Sequence, residues 1–131
     1  MRLLPLATLL ALSLAFSCKE EPRPEDIAGR QAKAYYGHLL AGRCGLFAAG
    51  IHDFDSLPAA YREQLHVSAR QLAARLRGAH GGVCEVRLAR AVADSAARGV
   101  NAFLVLCYAD STKEEIVVPM AERSPGQWRM K

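Results

Sequence analysis

Apolar residues recur with two different periods along this chain, and the change between them separates a helical first half from a stranded second half. From Pro24 up to Gly42 they fall at three- and four-residue intervals, which predicts an amphipathic helix. A longer stripe of the same period predicts a second helix that ends at Gly78. Its members are Leu57, Tyr61, Leu65, Ala69, Leu72 and Leu76. We expect Leu65 and Leu72 to lie against a sheet.

The second half of the chain carries a strand pattern. Apolar and polar residues alternate from 83 to 92, and residues 100–108 are apolar on both faces, which is typical of a central strand. Residues 115–120 and 127–130 predict two further strands, separated by the turn Ser124-Pro125-Gly126. Helices followed by consecutive strands indicate an α+β fold, in which N-terminal helices pack on a four-stranded antiparallel sheet.

The first 17 residues have the pattern of a lipoprotein signal peptide. After Arg2, residues 3–16 form an apolar stretch that is shorter than the roughly 20 residues needed to span a bilayer. A lone cysteine, Cys18, stands at the expected cleavage site. We therefore predict a signal peptide at 1–17, a lipid-anchored tether at 18–25 with Cys18 acylated, and a single domain at 26–131. Ordinary secretion is the alternative, because Ala15 and Ser17 also fit a common signal-peptidase site.

The residues that follow the signal peptide bear on location. Cys18-Lys19-Glu20-Glu21 resembles the charged export tag of certain Gram-negative lipoproteins, which are sent to the outer face of the outer membrane. This resemblance implies a surface-exposed protein of the outer membrane, and a periplasmic location is the alternative. The membrane is then a partner through the lipid anchor alone, because no second apolar segment approaches transmembrane length.

Charge and cysteine content narrow the class of protein. The 131 residues carry a formal net charge of +4, and the arginines are scattered over the predicted elements. Nucleic-acid binding requires a clustered basic stripe, so we expect no nucleic-acid partner. Besides Cys18, the cysteines are Cys44, Cys84 and Cys107. We interpret them as small core residues, with a Cys84–Cys107 disulfide as the alternative that export would permit.

Candidate chemistry is sparse. The histidines fall on different elements, so we predict no metal site. They are His38, His52, His66 and His80. The densest polar cluster is His52-Asp53-Phe54-Asp55, where a histidine beside carboxylates is a pattern for acid–base work, although such aspartates more often begin the next helix. No phosphate-binding loop, dinucleotide fingerprint or nucleophile motif occurs, so we predict no catalytic residue and no cofactor.

Several sequence runs resemble a known superfamily. The runs are Tyr61-Arg62-Glu63-Gln64-Leu65, Phe103-Leu104-Val105-Leu106-Cys107-Tyr108, Asp110-Ser111-Thr112, Glu114-Glu115-Ile116-Val117-Val118-Pro119-Met120 and Trp128. With its predicted order of elements, the chain is similar to small Gram-negative lipoproteins of unknown function, some labelled lumazine-binding-like. Their fold is the cone of the nuclear transport factor 2-like superfamily. The resemblance implies a sheet that curves around the helices and a pocket at the open end of the cone.

Bulky residues on core-facing stripes are the expected walls of that pocket. They are Tyr35, Leu39, Phe47, Tyr61, Phe103 and Trp128. We expect non-catalytic binding of a small molecule, peptide or envelope partner, and the family label suggests a small apolar or ring-shaped ligand. The alternative is an isomerase- or dehydratase-like enzyme using the same pocket, which would require His52, Asp53 or Asp55 to point into it. A structural accessory protein without a cavity is a third alternative.

Overall fold

The computed structural model describes residues 21–96 and 98–131. The predicted signal peptide and Cys18 lie outside the described residues, so the lipid anchor stays a prediction. The helices are α1 (Pro24–Leu40), α2 (Cys44–Ala49) and α3 (Ala59–Gly78), and a 3₁₀ turn, η1 (Phe54–Ser56), precedes α3. The strands are β1 (Val83–Asp94), β2 (Gly99–Tyr108), β3 (Lys113–Ser124) and β4 (Gln127–Met130). Within these residues, no helix is long and apolar enough to cross a bilayer.

The four strands form one antiparallel sheet in the order β1-β2-β3-β4, which confirms the predicted α+β fold. Along β2, the even-numbered residues are buried beneath the helices and the odd-numbered residues are half-buried on the outer face. The helices therefore cover one face of this strand only, and the apolar residues of its second face lie on the outside of the sheet. β1 shifts register after Val83 and after Leu88, and such bulges bend a strand.

Helix α1 packs against all four strands and forms the centre of the domain. Small residues on its buried face allow a close approach, because Ala28, Gly29 and Ala32 are all buried. A Cβ atom at Gly29 would lie only 3.0 Å from Leu88 Cδ2, so a larger residue would require α1 or the Leu88 side chain to shift by a few tenths of an ångström. The position of α1 thus depends on the size of these side chains as much as on their apolar character.

Two polar side chains of α1 fix the helix to β4. Gln31 Nε2 donates to the Gly126 carbonyl (2.8 Å), and Gln31 Oε1 accepts the Trp128 N–H (2.7 Å). Tyr35 Oη donates to the Trp128 carbonyl at 2.9 Å. These bonds satisfy backbone groups of the edge strand and place the N-terminal half of α1 beside the β3–β4 turn.

Helix α3 differs from its prediction in position. It packs against α2 and α1 rather than across the sheet, and Leu65 and Leu72 are half-buried. The expectation that these leucines lie against the sheet is therefore wrong, because α1 already occupies the inner face. Ser56 is the last residue of η1, and α3 begins after Pro58.

The core between the helices and the sheet is apolar. Among the described residues, every buried side chain is classed as hydrophobic, and Leu39, Leu104, Leu106 and Met120 are the largest that are fully enclosed. The cysteines 44, 84 and 107 are free thiols, so Cys84 and Cys107 form no disulfide. Cys44 packs at the edge of the core, but Cys84 is exposed and Cys107 is half-buried on the outer face of β2, so the interpretation of these two as core residues is wrong.

Truncation of Leu104 should reduce stability strongly. Its side chain is 0% exposed at the centre of β2, so we expect Leu104→Ala to lower the free energy of unfolding by about 2–5 kcal/mol. Leu46→Ala is the matched control, because Leu46 is 51% exposed and its loss should cost less than about 0.5 kcal/mol. Urea denaturation of both variants measures the difference, and similar losses would contradict this assignment of the core.

Candidate functional site

Four of the six residues expected to line a pocket belong to the packed core or its edge. Leu39, Phe47 and Trp128 are buried, and Tyr35 is half-buried and bonded to the Trp128 carbonyl. Phe47 also meets the ring of Tyr36 edge-on, with centroids 5.2 Å apart. These side chains hold the helices to one another and to the sheet.

The other two expected wall residues lie elsewhere. Tyr61 is 65% exposed on α3, and Phe103 lies on the outer face of the sheet, where the Arg90 guanidinium stacks 3.9 Å from its ring centroid. Strand residues alternate between faces, so Phe103 cannot share the inner face with its neighbour Leu104. The six residues therefore do not surround one cavity, and that expectation needs correction.

A surface cleft of about 110 Å³ lies where η1 meets the β3–β4 hairpin. We call it the η1 cleft, and its walls are Ala49, Ile51, His52, Asp53, Phe54, Asp55, Ser56, Arg123 and Arg129. It contains the whole polar cluster predicted from the sequence. The structure adds two arginines from β3 and β4 to that cluster.

Backbone pairing fixes the loop side of the η1 cleft. The Met130 N–H donates to the Gly50 carbonyl (2.8 Å), and the His52 N–H donates to the Met130 carbonyl (2.6 Å), so Ile51 forms a parallel bridge to β4. Asp53 then adopts a left-handed conformation with φ of 65°, and its carbonyl accepts a hydrogen bond from Ser56 Oγ (2.8 Å). A non-glycine residue in this conformation is uncommon, and such residues cluster at functional sites.

The charged side chains of the η1 cleft are partly paired with one another. Asp55 Oδ2 lies 3.0 Å from Arg123 Nη2, and Asp53 Oδ1 lies 3.4 Å from His52 Nε2. Arg129 Nη1 donates to the Ala49 carbonyl at 2.9 Å. His52 Nδ1 is buried without a hydrogen-bond partner among the described residues. The cleft therefore combines positive groups, negative groups and one unsatisfied ring nitrogen.

Sequence analysis found the aspartates and the histidine but missed both arginines. Arg123 and Arg129 stand more than 65 positions after Asp55 in the chain, and nothing in their local pattern distinguishes them from other exposed arginines. The only sequence feature that could have indicated them was their position on either side of the last predicted turn, 124–126. Asp53 does stand at the start of the next helical turn, η1, but neither η1 nor α3 has a side-chain cap, so the carboxylates are not capping groups.

A second polar cluster lies at the opposite end of the sheet, between the α3–β1 loop and the β2–β3 turn. His80 Nδ1 lies 2.9 Å from Asp110 Oδ2, and Asp110 Oδ1 accepts the Thr112 N–H (2.9 Å). Hydrogen bonds from Thr112, with a smaller contribution from His80, lower the pKa of the Asp110 carboxyl. His80 has a positive φ of 49° and its ring lies edge-on to Tyr108. This pair joins two loops that are distant in sequence.

No three metal-ligating side chains converge in the part of the chain that the structure describes. Within residues 21–96 and 98–131, the His, Cys, Asp and Glu side chains form no group of three or more that could hold a metal ion. The η1 cleft offers arginine donors and two carboxylates, which suits recognition of charged or polar ligand groups.

Comparison with solved structures identifies the class of fold. A Campylobacter jejuni protein, described as a candidate NTF2-like transpeptidase, matches with a TM-score of 0.61 at 12% sequence identity. The match covers 77% of this chain and 94% of that chain. This domain therefore has the nuclear transport factor 2-like fold, α+β with helices on a four-stranded antiparallel sheet. No protein-family model and no curated protein matches the sequence.

The titration of Tyr108 should depend on Glu114. Tyr108 Oη donates to Glu114 Oε2 at 2.7 Å, and this bond together with burial raises the pKa of the phenol to about 12. Because the folded pKa lies above the usual value of about 10, the contribution to stability is complete below pH 10 and is lost as the pH rises through about 12. Glu114→Ala should move the Tyr108 titration toward lower pH.

Tyrosine-selective NMR from about pH 9 to about pH 12.5 covers both the usual and the raised pKa of a tyrosine, and it measures the midpoint of the Tyr108 titration. Glu63→Ala, an exposed glutamate on α3, is the control and should leave the Tyr108 titration unchanged. An unchanged midpoint in Glu114→Ala would show that the hydrogen bond does not control the phenol.

Proposed function

We propose that this protein is a binding domain of the cell envelope, held in the outer membrane by an acylated Cys18, that binds its ligand in the η1 cleft without catalysing a reaction. One observation carries the proposal: the histidine and the aspartates meet two arginines in a cleft open to solvent, whose walls are both polar and apolar. Ligand recognition by charge and hydrogen bonding is the chemistry that such an arrangement favours.

Exposure of the carboxylates supports binding over acid–base catalysis. The side chains of Asp53 and Asp55 are both 68% exposed, and each lies near a cationic or ionisable partner. A general acid or base at neutral pH usually requires desolvation or a like charge to adjust its pKa. Exposed, paired carboxylates are better suited to orient arginines and to contact a polar ligand.

The path of the chain sets how an anchored domain would face the membrane. Five residues, 19–23, separate Cys18 from Pro24 at the start of α1, and the six steps between these Cα atoms reach at most about 22 Å. Gln31 of α1 contacts the β3–β4 turn, so that end of the sheet would lie nearest to the bilayer. The η1 cleft includes Arg123, near the end of β3, and the His80–Asp110 pair would point away from the membrane.

Lipidation at Cys18 is the first test of this proposal. Mass spectrometry of the protein purified from Gram-negative membranes should show an acylated N-terminal cysteine. Cys18→Ser should release the protein into the soluble periplasmic fraction, because a single-spanning helix is absent from the described residues. A free Cys18 thiol at a mature N-terminus, or unchanged membrane attachment of Cys18→Ser, would contradict the anchor.

Turnover assays test the non-catalytic role. The purified protein, incubated with chromogenic esters and with enolisable ketones, should give no turnover above that of buffer. His52→Ala and Asp53→Asn serve as paired variants, with circular dichroism to verify folding. An activity of the unchanged protein that both substitutions abolish, with folding intact, would establish an enzyme in place of a binding domain.

A further inference from the structure

Arg129 is the least compensated charge in the η1 cleft. Its side chain is half-buried, and Nη1 donates to the neutral carbonyl of Ala49 at 2.9 Å. No carboxylate of residues 21–96 and 98–131 forms an ion pair with its guanidinium, whereas Arg123 is paired with Asp55. A guanidinium carries five N–H donors, so most of the donors of Arg129 remain for another acceptor. Partial burial of a cation without a counter-ion raises the free energy of the folded protein, and an anion bound in the cleft would offset that increase.

A second ionisable side chain, His52, lines the same cleft. His52 Nδ1 is buried and has no hydrogen-bond partner within the described residues, while His52 Nε2 faces Asp53 Oδ1. Arg129 and His52 belong to the same cleft although they come from different elements.

The size and walls of the cleft limit what it can hold. A volume of about 110 Å³ suits a group of a few non-hydrogen atoms, so the cleft would take one end of a ligand and leave the rest in solvent or on the surface. Ile51 and Phe54 supply apolar wall, and the polar wall comes from the charged side chains.

We propose that the η1 cleft binds an oxyanion, either a carboxylate or a phosphate group, through Arg129 and Arg123. Arg129 supplies the uncompensated charge, and Arg123 turns from Asp55 to the ligand. Both guanidiniums can donate two parallel N–H bonds to a planar or tetrahedral oxyanion. This inference rests on the binding role proposed above and names the chemical class of its ligand.

The negative charges of the two aspartates lower the affinity of the cleft for an anion. Asp55 competes with an incoming oxyanion for Arg123, and Asp53 adds a negative charge at the rim of the cleft. Removal of the Asp55 charge should therefore strengthen anion binding, while removal of the Arg129 charge should weaken it. Opposite effects from two neighbouring substitutions cannot come from general destabilisation of the cleft.

Anion titrations of the full processed protein in neutral detergent test the proposal. Inorganic phosphate and acetate are added separately at constant ionic strength, and the arginine side-chain signals are followed by NMR. We expect Arg129→Gln to weaken binding of the preferred anion about tenfold or more, through loss of a charge-assisted hydrogen bond. We expect Asp55→Asn to strengthen it about threefold to tenfold, through removal of a charge a few ångströms away.

Arg70→Gln is the matched control, because Arg70 is an exposed arginine paired with Glu63 at 3.6 Å on α3, away from the cleft. It should change the affinity less than about twofold, as expected for an exposed pair. Preference for phosphate would indicate a phosphate-bearing ligand, and preference for acetate a carboxylate-bearing one. Either preference with the expected effects of the variants supports the proposal.

The proposal would be overturned by the absence of binding of both anions, by an unchanged affinity in Arg129→Gln, or by an equal loss in Arg70→Gln. Any of these results concerns the ligand class alone. The wider binding role is tested separately, since turnover that depends on His52 and Asp53 would overturn that role even in a protein that binds oxyanions.

Discussion

The close approach of α1 to the sheet is the constraint on which the rest of this structure depends. Ala28, Gly29 and Ala32 present almost no side-chain bulk to the strands, and a Cβ atom at Gly29 would lie in unusually close contact with Leu88, 3.0 Å from its Cδ2. Because α1 fills the inner face so tightly, α3 must pack against the other helices. For the same reason, the residues expected to line an interior pocket lie in the core or on the surface. The polar groups of the candidate site lie at the edge of the sheet.

That edge determines the character of the candidate site. β4 spans only Gln127–Met130, and an exposed edge strand is a risk for unwanted pairing with another chain. Residues 50–52 cover part of it through their hydrogen bonds to Met130, and the chain then turns sharply at Asp53 to reach η1. The η1 cleft is a consequence of this covering, since it lies between the covering loop and the hairpin that the loop covers. The same pairing brings Arg129 beside Ala49 and leaves its charge half-buried.

The two ends of the sheet use polar residues differently. At the η1 cleft, charges of both signs meet in a concave surface, and one cation and one ring nitrogen are left without a counterpart among the described residues. At the opposite end, His80, Asp110 and Thr112 satisfy one another and join two loops. The first arrangement leaves N–H donors of Arg129 available to a ligand, which is why we propose the η1 cleft as the binding site and interpret the His80–Asp110 pair as structural.

The sequence by itself determined the order of the elements, because apolar periods of about 3.6 and 2 residues depend only on local geometry. It also located the His52-Asp53-Phe54-Asp55 cluster, whose members are adjacent in the chain. Only the tertiary structure decided that Arg123 and Arg129 join this cluster, that Phe103 lies on the outer face, and that α3 packs on helices. Each of these depends on contacts between residues far apart in sequence and on which helix packs against the inner face of the sheet. The apolar pattern within α3 or β2 does not show which helix covers the sheet. The small side chains of α1 determine it, and they lie in another element.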